Sequence, residues 1–229
     1  MKAVAIISGG LDSAVLAYWL RAQHCDLTAI SFDYGQRHRK ELQFARGLAS
    51  RLGIGWSCVD LHSAGLTALL AGSALTDPTI EVPDGHYAAE NMRVTIVPNR
   101  NAIMLAIAAG AAASSKATAV ALAVHAGDHP IYPDCRPEFL AAFEEMERKA
   151  LDGVAQLRVI APFQTMTKAG IVALGAQLGV PFAETWSCYK GETYHCGTCG
   201  TCVERREAFL LAEISDPTAY KDAPPLQVC

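Results

Sequence analysis

The strongest constraint on the fold is a repeating alternation. Short apolar, β-branched runs at Ala3–Ser8, Leu27–Phe32, Trp56–Leu61, Thr118–Val124 and Leu157–Ala161 are interleaved with longer stretches of helical periodicity at Ser13–Gln23, Lys40–Leu52, Asn101–Ser114, Pro137–Leu151 and Thr167–Leu178. Strands separated by helices cannot pair as hairpins, so this order predicts a doubly wound, mainly parallel α/β sheet with strands buried on both faces. Apolar residues make up 51% of the 229, enough to cover such a sheet. The Asn101–Ser114 helix is apolar on nearly every side, which places it in the core or in a subunit contact, with the core preferred.

Past Pro181 the alternation stops and cysteines cluster, so the chain divides into a main domain over 1–180 and a small C-terminal subdomain over 181–229. Between Ala71 and Pro98 there is no clear period, and a connection this long reads as a flap over a site. The longest apolar stretch, Ala102–Ala113, is twelve residues, short of the roughly 20 that cross a bilayer. The N-terminal apolar run breaks at Gly9 and Gly10 without the pattern of a signal peptide. A cytoplasmic protein with no membrane segment is expected. The net charge of −4, with no lysine or arginine stripe, argues against a nucleic-acid partner.

Ser8-Gly9-Gly10-Leu11-Asp12-Ser13 lies directly after the first strand and directly before the first helix. There, loop amides and the helix N-terminus form an anion site. Two glycines let the backbone approach an oxyanion, Ser8 and Ser13 add hydroxyls, and Asp12 is placed to cap the helix or hold Mg²⁺. The Gly-Lys-Ser/Thr ending of a Walker A loop is absent, and so is GxGxxG.

Cys188, Cys196, Cys199 and Cys202 form two overlapping C-x-x-C steps with a fourth sulfur upstream, the pattern of a structural Cys₄ zinc site. Gly197 and Gly200 are expected to turn the chain so that the sulfurs converge, and Val203–Ile214 to form a helix. A Cys196–Cys199 redox pair, a persulfide carrier and ligation by His195 are the competing readings. Cys25, Cys58, Cys135 and Cys229 lack partners at ligand spacing, and Cys25 and Cys58 are expected in the core.

Five polar segments mostly follow strands: Phe32–Leu42, Gly85–Met92, Val97–Asn101, His125–Phe139 and Pro162–Ile171. Each alone reads as a solvated loop. Together they would converge beside SGGLDS at the carboxyl ends of the strands.

SGGLDS resembles the PP-loop of the N-type ATP pyrophosphatases, the adenine nucleotide alpha hydrolase-like fold. With FDYGQRH, VPNRN, YPDCRPEF and TWSCYKGETYHCGTCGTC in this order, the chain resembles the 7-cyano-7-deazaguanine synthase family from Lys2 to about Ile214. The resemblance implies conversion of 7-carboxy-7-deazaguanine and ammonia to the nitrile with ATP and Mg²⁺, one Zn²⁺ per chain, and a homodimer. It implies ATP binding by Ser8, Gly9, Gly10, Leu11, Asp12, Ser13, Ala14, Val15, Leu16, Ala17 and Tyr18. Asp12, Ser13, Arg37, Arg100 and Lys168 are the candidate catalytic residues, the three cations neutralising phosphate charge. Asp128 and Asp134 are candidates for Mg²⁺ or for the ring edge, and Tyr34, Tyr87 and Tyr132 for stacking. No glutaminase segment is visible, which makes free ammonia the expected nitrogen source. The alternative is a PP-loop tRNA-modifying enzyme, a thiolase or base ligase, which calls for a basic surface this composition does not offer.

Overall fold

The computed structural model describes residues 1–226; Cys229 lies outside them. The elements run β1 (Lys2–Ile6), α1 (Leu11–Ala22), β2 (Asp26–Asp33), α2 (Glu41–Leu52), β3 (Gly55–Asp60), α3 (Leu66–Leu69), α4 (Arg100–Ser114), β4 (Ala119–Ala121), α5 (Pro137–Ala150), β5 (Arg158–Ile160), α6 (Lys168–Gln177) and α7 (Gly200–Leu211). The strands form one parallel sheet in the order β3-β2-β1-β4-β5. Alternation along β1 sends Ala3, Ala5 and Ile7 to a core shared with α1, α2, α6 and α7. Val4 joins a second core on the opposite face with α4 and α5. The sheet is therefore doubly wound, as the sequence order predicts.

All five strands fall where the apolar runs lie, with two physical differences. β4 ends at Ala121: Leu122 N–H makes the last bond to the Ile160 carbonyl of β5 at 3.0 Å, and Leu122, Ala123 and Val124 go on to line a cleft. β3 is an edge strand and not a buried one, which leaves Cys58 exposed while Cys25 is buried. α4 is a core helix on one side, burying Met104, Leu105, Ala108, Ala109 and Ala112. Its other side presents Ala106, Gly110 and Ala111.

The 71–98 segment is packed into the structure. Leu75, Met92 and Thr95 are fully buried, Ala74 N–H bonds the Val94 carbonyl at 2.7 Å, and Gly85 N–H bonds the Thr198 carbonyl at 3.0 Å. The last contact ties the segment to the cysteine region. α7 in turn docks on α6 and the sheet core through Ala208 and Phe209, with Phe209 edge-on to Phe182.

The chain reverses its winding direction between β1 and β4, and a crevice opens where neighbouring strands diverge at such a switch point. No helix among the described residues is long and apolar enough to cross a membrane.

Candidate active site at the sheet switch point

The SGGLDS loop occupies this crevice. Gly9 has φ +93°, and a Cβ there would collide with the Glu41 carbonyl oxygen at the start of α2, so only glycine fits. The loop is closed by its own serines. Ser13 Oγ accepts from Gly9 N–H at 3.2 Å and donates to the Gly10 carbonyl at 3.0 Å, while Ser8 Oγ accepts from Gly10 N–H at 3.2 Å. The Gly9 carbonyl accepts from Trp186 N–H at 2.9 Å, which locks the cysteine region to the loop. The first helical bond of α1 runs from Ala14 N–H to the Gly10 carbonyl. The amides of Leu11, Asp12 and Ser13 therefore head the helix without intrahelical partners, a geometry suited to an anion.

Asp12 does not cap α1. Its Oδ2 accepts from Lys168 Nζ at 2.5 Å, and its Oδ1 is buried with no partner among the described residues. Lys168 stands on the first residue of α6, which Thr167 caps through its Oγ1. Its Nζ also lies 3.2 Å from Glu204 Oε2 and 3.3 Å from His125 Nε2. Burial pulls the Lys168 ammonium down, yet Asp12, Glu204 and Asp128 outweigh it and hold the amine above the ordinary lysine range. Burial likewise pushes Asp12 up, but Lys168 and His125 reverse the shift and keep its carboxyl below the usual value. Burial dominates at Glu204 and raises it. The pole beside the loop thus holds a permanent cation among carboxylates.

Asp128 accepts from Tyr87 Oη at 3.0 Å and from His125 N–H at 2.9 Å.

The other pole is built from β2 and the loop after it. Arg100, the first residue of α4, donates to Tyr34 Oη at 3.2 Å. Glu41 Oε1 accepts from Gln36 Nε2 at 3.1 Å and lies 3.6 Å from His38 Nε2. Burial is the main cause that drives His38 down to about 3, helped by Arg100 and Arg37, so this imidazole is neutral. Burial also pushes Glu41 up to about 8, against the opposing pull of Gln36 and Arg100. His38 Nδ1 is buried without a partner, and Tyr189 tilts over the imidazole at 5.1 Å.

All four clustered cysteines are buried, and their sulfurs lie within 4.8 Å of one another. Cys196 Sγ and Cys202 Sγ are 3.8 Å apart. That is far beyond a disulfide bond, and it matches the ~3.8 Å edge of a tetrahedron with metal–sulfur bonds of about 2.3 Å. Cys196 Sγ accepts from the backbone amides of Thr198 and Cys199 at 3.4 and 3.2 Å. Hydrogen bonds from Cys188, Cys199 and Cys202 hold this thiol well below its ordinary range. Four buried sulfurs at tetrahedral spacing, one of them facing two backbone amides, fit zinc. His195 is not in the set: its Nε2 accepts from Ser187 N–H at 3.1 Å, and the ring packs on Trp186. Gly197, at φ +82°, makes the expected turn. Gly200 instead begins α7, where a Cβ would press on the Met92 sulfur.

Of the residues singled out in the sequence, Ser8, Gly10, Leu11, Asp12, Ser13, Arg100, Lys168, Asp128, Tyr34, Tyr87 and Tyr132 line one cleft. Gly9 supports it from behind, Ala14, Val15, Leu16 and Ala17 face the core, and Tyr18 is partly exposed beside the Arg51–Glu184 pair. Arg37 is not brought to the cleft. Its guanidinium donates to the carbonyls of Asp77 at 3.0 Å and Ile80 at 3.2 Å. Asp134 caps α4 through Asn101 N–H at 2.9 Å. Glu41, His38, Trp186, Ser187, Tyr189, Thr201 and Glu204 also line the cleft without having been assigned roles. Glu204 sits in Val-Glu-Arg-Arg-Glu, which carries no sign of burial. Neither does its neighbour Arg205, fully buried and bonded to Thr185 Oγ1, Ser187 Oγ and the Phe182 carbonyl.

Residues 2–213 match the family model described as Queuosine biosynthesis protein QueC. The 7-cyano-7-deazaguanine synthases of Brucella ovis and Brucella suis are each 61% identical to this chain over 223 residues, covering 97% of it and 95% of the relative. The solved NMN synthetase of Francisella tularensis overlaps 93% of this chain and 77% of its own, at 17% identity and a TM-score of 0.49.

Proposed function

The chain belongs to the QueC family, the ATP-dependent 7-cyano-7-deazaguanine synthases of queuosine biosynthesis, and on that premise we propose that it joins ammonia to 7-carboxy-7-deazaguanine in the cytoplasm. A carboxylate is a poor electrophile, so one of its oxygens first becomes part of a mixed anhydride with a phosphoryl group of ATP. Ammonia adds to the acyl carbon, the phosphate-type group leaves with that oxygen, and a proton is lost to give the amide. The amide oxygen is activated in the same way by a second ATP. It departs with its phosphoryl group as the nitrogen loses its remaining protons, leaving the nitrile.

The observation that carries this reading is Lys168 held over the SGGLDS loop by Asp12 and Glu204. Ser8, Gly10, Leu11, Asp12 and Ser13 grip the phosphates through amides and hydroxyls, and Lys168 and Arg100 neutralise the charge that develops on them. Arg37 is left out of this set, since its guanidinium is spent on the 77–80 carbonyls. Asp12, with one buried unpartnered oxygen, is the residue suited to hold Mg²⁺ with the nucleotide.

One zinc per chain is held by Cys188, Cys196, Cys199 and Cys202. It acts as scaffold, fixing α7 and the 186–189 turn so that Ser187, Tyr189, Thr201 and Glu204 reach the cleft. The division at about residue 180 marks where this scaffold begins. The small apolar outer face of α4 supports a homodimer.

Mass spectrometry of the products from carboxylate, ATP, Mg²⁺ and ammonia tests the reaction. Nitrile formed by the native chain and lost in Lys168→Met supports it; nitrile formed by Lys168→Met at the native rate removes Lys168 from the mechanism.

A further inference from the structure

The cleft is lined by four carboxyl side chains, Asp12, Glu41, Asp128 and Glu204. Three are already engaged. Asp12 and Glu204 flank Lys168, and Asp128 has one oxygen on Tyr87 and the other on the His125 amide. Glu41 differs, because no cation pairs with it. Its only hydrogen-bond donor among the described residues is the Gln36 amide, and the imidazole 3.6 Å away is neutral. Next to it the Nδ1 of His38, itself 4% exposed, has no partner. His38 Nδ1 is therefore held out of water without a partner, and beside it the Glu41 carboxyl opens on the cleft with a single side-chain donor for its two oxygens. A protein core normally excludes such an arrangement unless a ligand completes it.

The chemistry of a complementary ligand follows from the acceptor. A carboxyl group offers two coplanar oxygens, and the complementary ligand edge carries two adjacent N–H donors. A 2-amino-4-oxo pyrimidine ring, the six-membered half of a deazaguanine, has such an edge in its ring N–H and exocyclic amine. Tyr34, with Arg100 over its ring, and Tyr189 supply flat surfaces beside this carboxyl. The position is also right for the reaction. The Glu41 backbone packs directly beneath Gly9, so a ring held here lies beside the phosphate loop and presents its substituent to it.

Resting on the reaction assigned above, we propose that Glu41, braced by Gln36 and His38, is the specificity residue that reads the two-donor edge of the deazaguanine ring. Burial keeps this carboxyl protonated up to about 8, and two N–H donors are the kind of partner that favours its anion.

The test compares 7-carboxy-7-deazaguanine with its 2-deamino analogue on the zinc-loaded full chain, by calorimetric Kd and by kcat/KM for nitrile formation. The native protein should prefer the 2-amino ring by on the order of 100-fold or more. Glu41→Gln, which keeps the shape and replaces one acceptor with a donor, should lose about that factor on the 2-amino ring. Its affinity for the deamino ring should change by less than about 3-fold and its ATP affinity should be unchanged. Equal weakening on both rings would mark Glu41 as structural, and preserved discrimination in Glu41→Gln would assign the edge to another residue; either overturns the proposal. Discriminating binding without nitrile formation would sink the reaction and leave this subsite standing. Nitrile formed equally well from both rings would do the reverse, and no binding of the 2-amino ring would end both.

Discussion

A buried ligand-reading carboxyl with no ion-pair partner should cost the protein stability as it ionises. In the folded state Glu41 is raised from 4.5 to about 8. Its folded pKa thus lies above its unfolded one, so the folded chain binds the extra proton between these values. Stability from this group is fully present below pH 4.5 and is lost progressively as pH rises through about 8. The span is about 3.5 units, which at 1.36 kcal/mol per unit bounds the loss at about 5 kcal/mol; relaxation and water entry bring the expectation to about 2–4 kcal/mol. Glu41→Gln carries no titrating proton there. Urea unfolding of the zinc-loaded native and Glu41→Gln chains at several pH values reads the difference directly. The two should be nearly equal at pH 5, and the variant should pull ahead by about 2–4 kcal/mol by pH 8.5. A gap that stays constant with pH would refute the claim that burial outweighs the pull of Gln36 and Arg100 on Glu41.

Other residues give separate expectations. Gly9→Ala forces a side chain onto the Glu41 carbonyl at φ +93°, and should lower stability by roughly 2 kcal/mol or more and abolish ATP binding, measured by denaturation and calorimetry. Arg37→Ala should leave ATP affinity within about 2-fold while increasing hydrogen exchange across 73–80, because this guanidinium holds the Asp77 and Ile80 carbonyls. Cys202→Ser, or chelation of the native chain, should release one zinc per chain by metal analysis and expose 186–211 to protease, with β1 and β2 amides still protected.

The sheet was legible because it is a periodicity problem. Each strand is a short apolar run, each helix a longer stretch that is amphipathic or, like α4, apolar on nearly every side, and the alternation fixes parallel pairing before any contact is known. The loop and the cysteine set were legible because their ligands are local in sequence. The far pole of the cleft was not. Glu41 and His38 lie in a run with Arg37, Arg39 and Lys40 that reads as a charged helix start, and the His38 ring is covered by Tyr189 from a segment about 150 residues later. Glu204 and Arg205 were hidden for the same reason, since only the docking of α7 on α6 turns their side of the helix inward. Arg37 erred in the opposite direction. It looked like a site cation because it follows a strand, and the 71–98 segment takes its hydrogen bonds instead.

The central claim is that a phosphoryl group from ATP carries away the oxygens of the substrate carboxylate. Supplying 7-carboxy-7-deazaguanine with both carboxylate oxygens as ¹⁸O, and measuring the label by mass spectrometry, tests this most directly. One labelled oxygen should appear in the phosphate-containing product of each activation, AMP or phosphate, for every nitrile formed. Label released only into water, with unlabelled AMP and phosphate, would contradict the account.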